Sequence, residues 1–307
     1  MMLTRRRLLI GLGAALGLEA SLPRAARAAD WRQDFPILNF GVISSENEAD
    51  RDARHRKFVA YLERTLRTKL RMHHATDYAG TIEGLKARKL EFARFGPASY
   101  ARAWLVMGGK IEPIAVVTDT DGHAGYYAVI AVRADSASRS LDDLKGKTLA
   151  FADPNSTSGY VAPSFFLREQ GVDPAKHFAR TGFSGSHENS VIAVLNGTYD
   201  AAATWWTNEE RSNVSRMEGK GMIPKGQIRY VWRSPKLPES PWAIHSDLPD
   251  PLKADVRGAL LALPTADPGA WRDVTDGKSK GLLEITHKDY EPIVRMVQAS
   301  LRERRGR

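Results

Sequence analysis

The sequence contains no cysteine. That excludes disulfides, an iron–sulfur cluster and a cysteine nucleophile. It also excludes a lipid-modified cysteine as a membrane tether. Enzyme signatures are missing too. Gly182-Phe183-Ser184-Gly185 falls short of the G-x-S-x-G elbow of hydrolases, and His187 lying near Ser184 in sequence does not make a triad. Gly108-Gly109-Lys110 is a turn and not a phosphate loop, because the G-x-x-x-x-G-K pattern is absent. His73 and His74 are adjacent on an expected strand and point to opposite faces, and no His/Asp/Glu cluster has ligand spacing. No catalytic residue, metal ligand or cofactor is therefore expected. No internal repeat or low-complexity segment is found, and no coiled coil or output domain follows residue 302.

A long apolar run is also lacking. The segment from Leu8 to Leu18, softened by Gly11, Gly13 and Gly17, is too short for a bilayer span, which needs about 20 residues. It follows Arg5-Arg6-Arg7 and precedes Ala26-Arg27-Ala28, a small-x-small cleavage site. This is the layout of an export signal of twin-arginine type. The expectation is that residues 1–28 are cleaved and that a soluble periplasmic protein begins at Ala29. The remainder is long enough to fold on its core without disulfides.

The formal net charge is +9. Arg5, Arg6, Arg7, Arg24 and Arg27 against Glu19 account for part of it, and the rest is a mild excess in which both signs alternate. No stripe of arginines interleaved with aromatics appears, so nucleic acid is not an expected partner. A positive field that draws in small anions suffices. The tail Arg302-Glu303-Arg304-Arg305-Gly306-Arg307 reads as a frayed helix end.

What is present is alternation. Strands are predicted at 38–43, 70–75, 90–95 and 111–117. Helices are predicted at 53–70, from Asp77 through Leu85, and at 98–107. A strand over 126–132 has no helix before it. The pattern then restarts with a short helix at 141–144 and strands at 148–152, 178–183, 199–204 and 228–232, with a helix at 188–196. After Pro235, Pro238 and Pro241, a strand at 242–245 precedes three helices at 251–262, 268–275 and 290–302. The pattern predicts an α/β fold with largely parallel sheets in two lobes. Residues 29–133 and 235–307 would form lobe 1, residues 134–234 lobe 2, and two strand-like linkers the hinge. A cleft between lobes is a natural ligand site.

The most telling stretch is Asp153-Pro154-Asn155-Ser156-Thr157-Ser158-Gly159-Tyr160, set between the strand Thr148–Ala152 and a helix-like run from Val161 to Leu167. The first turn of a helix has unpaired N–H groups and partial positive charge. Three hydroxyls there add donors, and glycine permits close approach, so the stretch reads as an anion cradle. A serine-rich N-cap is the alternative.

Asn39 to Ser44, Asp77-Tyr78-Ala79-Gly80, Phe95-Gly96-Pro97, Gly125-Tyr126-Tyr127, Asp153 to Gly159, Ser186 to Asn189 and Tyr199 to Thr204 occur in that order. Together they resemble the periplasmic phosphonate-binding proteins of ABC importers, over roughly residues 38 to 247. The resemblance implies a type II periplasmic-binding-protein fold, with two α/β lobes joined by a two-stranded hinge. It implies that Ser156, Thr157 and Ser158 hold a phosphonate or related small oxyanion, helped by Tyr78. It also implies an ABC permease and its ATPase as partners. His187 matches the family's site histidine, either donating to the anion, better when protonated, or capping its helix. Phe95 stands where the family often has tyrosine. Family members that take an aminoethyl group use carboxylates for its ammonium. Those positions fall near Asn208 and Ser240, with Glu209 and Glu239 next door, so that partner looks absent. Trp205 and Trp206 either wall the site, favouring an apolar or quaternary-ammonium group, or pack in the core. Phosphite, phosphate, a sulfonate or a small organic acid remain alternative solutes, and an anion sensor an alternative role.

Overall fold

The computed structural model describes residues 30–305, so the export signal expected over 1–28 lies outside the described residues. The chain begins with β1 (Ile37–Val42), α1 (Glu48–Leu66), β2 (Lys69–His73), α2 (Tyr78–Lys86), β3 (Phe92–Arg94), α3 (Pro97–Val106) and β4 (Ile111–Val117). Each helix start has a local cause. Asn47 caps α1 by accepting from the Asp50 N–H, and Asp77 caps α2 by accepting from the Gly80 N–H. Gly96 precedes Pro97, whose fixed φ suits the first helical position of α3. The cap at Asn47 starts α1 five residues ahead of the expected start at 53, because its first turns are polar and the apolar stripe begins only at Phe58.

The middle of the chain holds β5 (Tyr127–Arg133), β6 (Thr148–Phe151), a widened π-type turn over Thr157–Val161, α4 (Ala162–Glu169), α5 (Pro174–His177), β7 (Arg180–Phe183), α6 (His187–Leu195), β8 (Ala201–Trp206), α7 (Asn213–Gly219) and β9 (Ile228–Arg233). The chain ends with β10 (Pro241–His245), α8 (Asp250–Ala266), α9 (Pro268–Thr275), β11 (Leu282–Glu284) and α10 (Glu291–Arg305). Neither α7 nor β11 is evident in the sequence pattern. The α7 cap pairs Ser212 with Ser215 in place of the usual Ser-x-x-Glu box, and β11 is a short, half-exposed edge strand.

Two sheets result. One has the order β11-β4-β10-β3-β1-β2 and the other β7-β6-β8-β5-β9. Both are mixed, where strand–helix alternation pointed to largely parallel sheets. Among the described residues, only β1–β2, β1–β3, β6–β7 and β6–β8 pair in parallel. The returning strand β10 runs antiparallel between β3 and β4, and β5 runs antiparallel between β8 and β9. Both follow directly from the crossings, which carry no helix to turn the chain around.

The expected first boundary, after residue 133, falls at the end of β5. Because β5 pairs only with strands of the second sheet, the first crossing comes earlier, within residues 118–126. There Tyr126 and Leu237 exchange two backbone hydrogen bonds, of 3.1 and 2.8 Å, tying the two crossing segments side by side. Gly125 has φ of 118°, and a Cβ there would lie 2.9 Å from the Leu237 carbonyl oxygen, so the pairing requires glycine.

Aromatics fill the first sheet's core. Phe40 stacks on Phe92 at 5.3 Å and Phe58 on Trp242 at 5.2 Å. A second apolar cluster joins the two halves behind the crossing. It packs Ile293, Val294 and Val297 of α10 with Ala98 and Ala101 of α3 and with Val161 and Ala162. The last helix thus spans both halves.

Candidate functional site

A cavity of about 130 Å³ opens between the carboxyl ends of β1, β3 and β6. That is where the loops of an open α/β sheet place ligands, and the volume suits a small solute. Tyr78, Phe95, Ser156, Thr157, Ser158 and His187 all line it. Sequence positions from 78 to 187 are therefore brought together around one cavity.

The hydroxyl triplet sits on the widened turn. Ser156 is its cap, with Oγ accepting from the Gly159 N–H at 3.0 Å. The Val161 N–H then bonds to the Ser156 carbonyl, five residues back, a spacing characteristic of π-turns, which recur at functional sites. The serine-rich cap thus also faces the cavity, with Ser156 capping the turn and Ser156, Thr157 and Ser158 all in the lining. The Thr157 and Ser158 N–H groups lie in the first turn and meet no backbone carbonyl among the described residues. Gly159 is indispensable, since a Cβ there would lie 2.5 Å from the Ala152 Cβ and 2.8 Å from Ser156 Oγ.

Two tyrosines complete the donors. The Tyr78 hydroxyl faces Ser156, and the Tyr126 hydroxyl faces Thr157 and Ser158. Burial raises both phenol pKa values well above the ordinary range, with the Asp153 charge adding to the rise at Tyr78. Both phenols therefore remain proton donors throughout the physiological range. Tyr126 is absent from the sequence-derived site, although Gly125-Tyr126-Tyr127 marks the family resemblance; its place in the crossing brings it there.

His187 takes a role different from both expected ones. Ser186 caps α6, accepting from the Asn189 N–H at 3.1 Å. The His187 ring lies between Ser156 Oγ, 3.1 Å from Nε2, and Thr204 Oγ1, 3.2 Å from Nδ1. Both ring nitrogens are engaged, so the ring braces Ser156. Burial pushes its pKa down to about 3, with Arg216 adding repulsion. That burial favours the neutral ring at physiological pH.

The tryptophan pair divides. Trp205 lines the cavity, and Trp206 does not. Successive strand residues face opposite ways, and Trp206 packs 5.7 Å from Tyr127 with Arg233 over both rings, at 5.4 and 5.0 Å. Asn208 also stays outside the cavity wall. Its Oδ1 accepts from the Glu210 and Arg211 N–H groups at 3.1 and 2.8 Å, building the turn that delivers Arg211. Ser240 and Glu239 line the cavity, and Glu239 is held by Arg211 at 3.1 Å.

Arginines are the group the sequence reading missed. Arg54, Arg94, Arg211 and Arg216 line the cavity from four different elements or loops. Burial lowers the Arg54 pKa to about 9 and that of Arg94 to about 10, so both stay charged. The cleft is also tied across its mouth. Glu46 contacts Arg54 on its own side and reaches Lys220 at 3.1 Å and Arg216 at 3.8 Å on the other. The Asn47 N–H donates to Glu188 at 3.1 Å, and Lys220 joins Glu188 at 3.2 Å.

Comparison with known proteins agrees with this architecture. Residues 40–290 match the family model of periplasmic substrate-binding proteins of phosphonate ABC transporters. The chain is 30% identical to the phosphate-import protein PhnD of Mycolicibacterium smegmatis, over 85% of each chain. It is 32% identical to the phosphonates-binding periplasmic protein of Escherichia coli, over 76% of this chain and 68% of that one. A binding-protein component of a phosphonate ABC transporter from Pseudomonas aeruginosa superposes with a TM-score of 0.75 at 27% identity, covering 87% of both chains. PhnD1 of Prochlorococcus marinus, solved with methylphosphonate, shares the fold with a TM-score of 0.71 at 24% identity, covering 86% of this chain and 98% of that one. The chain belongs to the family of periplasmic phosphonate-binding proteins of ABC transporters.

Proposed function

We propose that this chain captures a phosphonate, or a related small phosphorus oxyanion, in the cleft between its two sheets and presents it to an ABC permease and its ATPase. The observation that carries the site assignment is the convergence of the Thr157 and Ser158 hydroxyls, their first-turn N–H groups and the Tyr78 and Tyr126 hydroxyls on one cavity wall. All are neutral donors aimed at one place, which suits a tetrahedral oxyanion and leaves it free to dissociate. Phe95 and Trp205 supply apolar wall beside it. The relative from Prochlorococcus marinus binds methylphosphonate, which supports a phosphorus oxyanion here.

The sheet containing β1–β4, β10 and β11 is one lobe in this account, and the sheet containing β5–β9 the other. The segments 118–126 and 234–240 act as the hinge, and the salt bridges around Glu46 hold the closed form. Residues 1–28 direct export to the periplasm. Among the described residues no helix is long and apolar enough to cross a membrane.

A thermal-shift screen tests the reading, using phosphonates, phosphite, phosphate, sulfonates and sulfate. Ligand bound to the folded state raises the melting temperature by mass action. A rise with a phosphonate or phosphite is expected. A response to sulfonates alone would keep the fold and overturn the ligand.

A further inference from the structure

The cavity lining also carries charged side chains beside the hydroxyl cradle. Five cations line the cavity: Arg54, Arg94, Arg211, Arg216 and Lys278. Three carboxylates line it: Glu210, Glu239 and Asp276. Their engagements differ. Arg54 and Arg216 share Glu46, and Arg211 holds Glu239. Lys278 donates to the Glu210 carbonyl. Arg94 alone among the four arginines has no carboxylate within ion-pair distance among the described residues, and its buried Nε has no acceptor. Glu210 and Asp276 are exposed and solvated, while Arg94 is half-buried at the end of β3.

Glu239 and Asp276 act on Arg94 from a distance without pairing with it, which leaves a planar fork of donors matched in shape to a carboxylate. The oxyanion cradle is built from neutral donors on other elements and does not call on it. An ammonium would face Arg94 and Arg211 with the one buried lining carboxylate, Glu239, already taken.

We propose that the phosphonate recognised here carries a second anionic group, a carboxylate on a short organic substituent, and that Arg94 receives it. This rests on the reading of the cradle as the oxyanion site and specifies the substituent that reading leaves open.

Isothermal titration of the purified chain with methylphosphonate, phosphonoacetate and 2-aminoethylphosphonate tests it. Phosphonoacetate is expected to bind roughly 10- to 100-fold tighter than methylphosphonate, the worth of one charged hydrogen-bonded pair, with the aminoethyl compound weakest. In Arg94→Gln the phosphonoacetate-to-methylphosphonate ratio should collapse toward one. In Arg94→Lys, which keeps charge without the fork, it should fall part of the way. The lysine variant serves if the glutamine variant does not fold by circular dichroism. Equal or tighter binding of methylphosphonate or 2-aminoethylphosphonate overturns the inference and leaves the oxyanion reading standing. So does a ratio that survives in Arg94→Gln. Silence with all three phosphonates defeats the oxyanion reading itself, and this inference with it.

Discussion

Thr157 Oγ1 accepts a hydrogen bond from the Ala98 N–H at 2.8 Å, joining the widened turn after β6 to the first turn of α3. The contact runs from one sheet's loops to the other's and draws on a helix-start N–H that has no partner within its own helix. The Tyr78 N–H adds a second such contact, 3.4 Å from Asp153. Both contacts give first-turn N–H groups of α2 and α3, beside the first sheet, acceptors from the loop after β6 of the second. Thr157→Val keeps the shape and removes both the acceptor for Ala98 and the hydroxyl assigned to the oxyanion. It should weaken closure by about 1–3 kcal/mol, since the buried Ala98 N–H is left unsatisfied. Small-angle scattering with and without methylphosphonate would show a smaller compaction on ligand addition than in the wild type.

Glu46 is the next test of closure. Its carboxylate is buried against Arg54, Arg216 and Lys220. Glu46→Gln leaves cations buried without their counter-charge, and removing one partner of a buried ion pair costs about 3–5 kcal/mol. The variant should be less stable and bind ligand more weakly, mainly through faster dissociation. Surface plasmon resonance separates the two rates. An unchanged off-rate would mean that these pairs do not hold the closed form.

Gly159→Ala probes the cradle without touching a donor. The new methyl would press on Ala152 Cβ at 2.5 Å, on Ser156 Oγ at 2.8 Å and on the His187 ring at 3.0 Å. Overpacking of this kind costs about 1–3 kcal/mol, and here it also displaces the triplet. Affinity should fall more than stability does. A melting temperature and Kd measured side by side would check this.

Acid should destabilise the protein before ordinary carboxylates titrate. Burial holds His187 and His55 at about 3, against 6.5 when free, and the neighbouring Arg54 adds repulsion at His55. Both rings are neutral in the fold. Their unfolded counterparts take up protons below about pH 6.5, so stability is full above that pH and falls steadily as pH drops from 6.5 toward 3. Each ring contributes on the order of a few kcal/mol across that window. Urea melts at pH 7 and pH 5 should show the loss, and His187→Gln should reduce its slope. A stability that rises between pH 7 and 5 would contradict the neutral assignment.

The elements that carry the cradle are legible in the sequence because each announces itself locally. Asp153 to Gly159 couples a strand end to hydroxyls and glycine, and Asp77, Gly96-Pro97 and Ser186 are ordinary helix starts. The arginines are not legible that way. Arg54 sits on a polar helix face and Arg94 in a short strand, so each reads as a solvated charge until the fold brings α1, β3 and the Asn208 turn together. The Trp205–Trp206 assignment turns on strand parity, where a one-residue shift exchanges the faces. The placement of β5 depends on which sheet it joins, and a strand pattern does not encode that. Tyr126 belongs to the same class, since a crossing segment shows no periodicity.

The most direct test of the central claim is a calorimetric titration of methylphosphonate into the wild-type chain and its Ser158→Ala variant. The account predicts one saturable site in the wild type and a loss of about 1–3 kcal/mol in the variant, the value of a charge-assisted hydrogen bond. Equal affinity in the two proteins would contradict the assignment of the oxyanion to the Ser156–Ser158 turn.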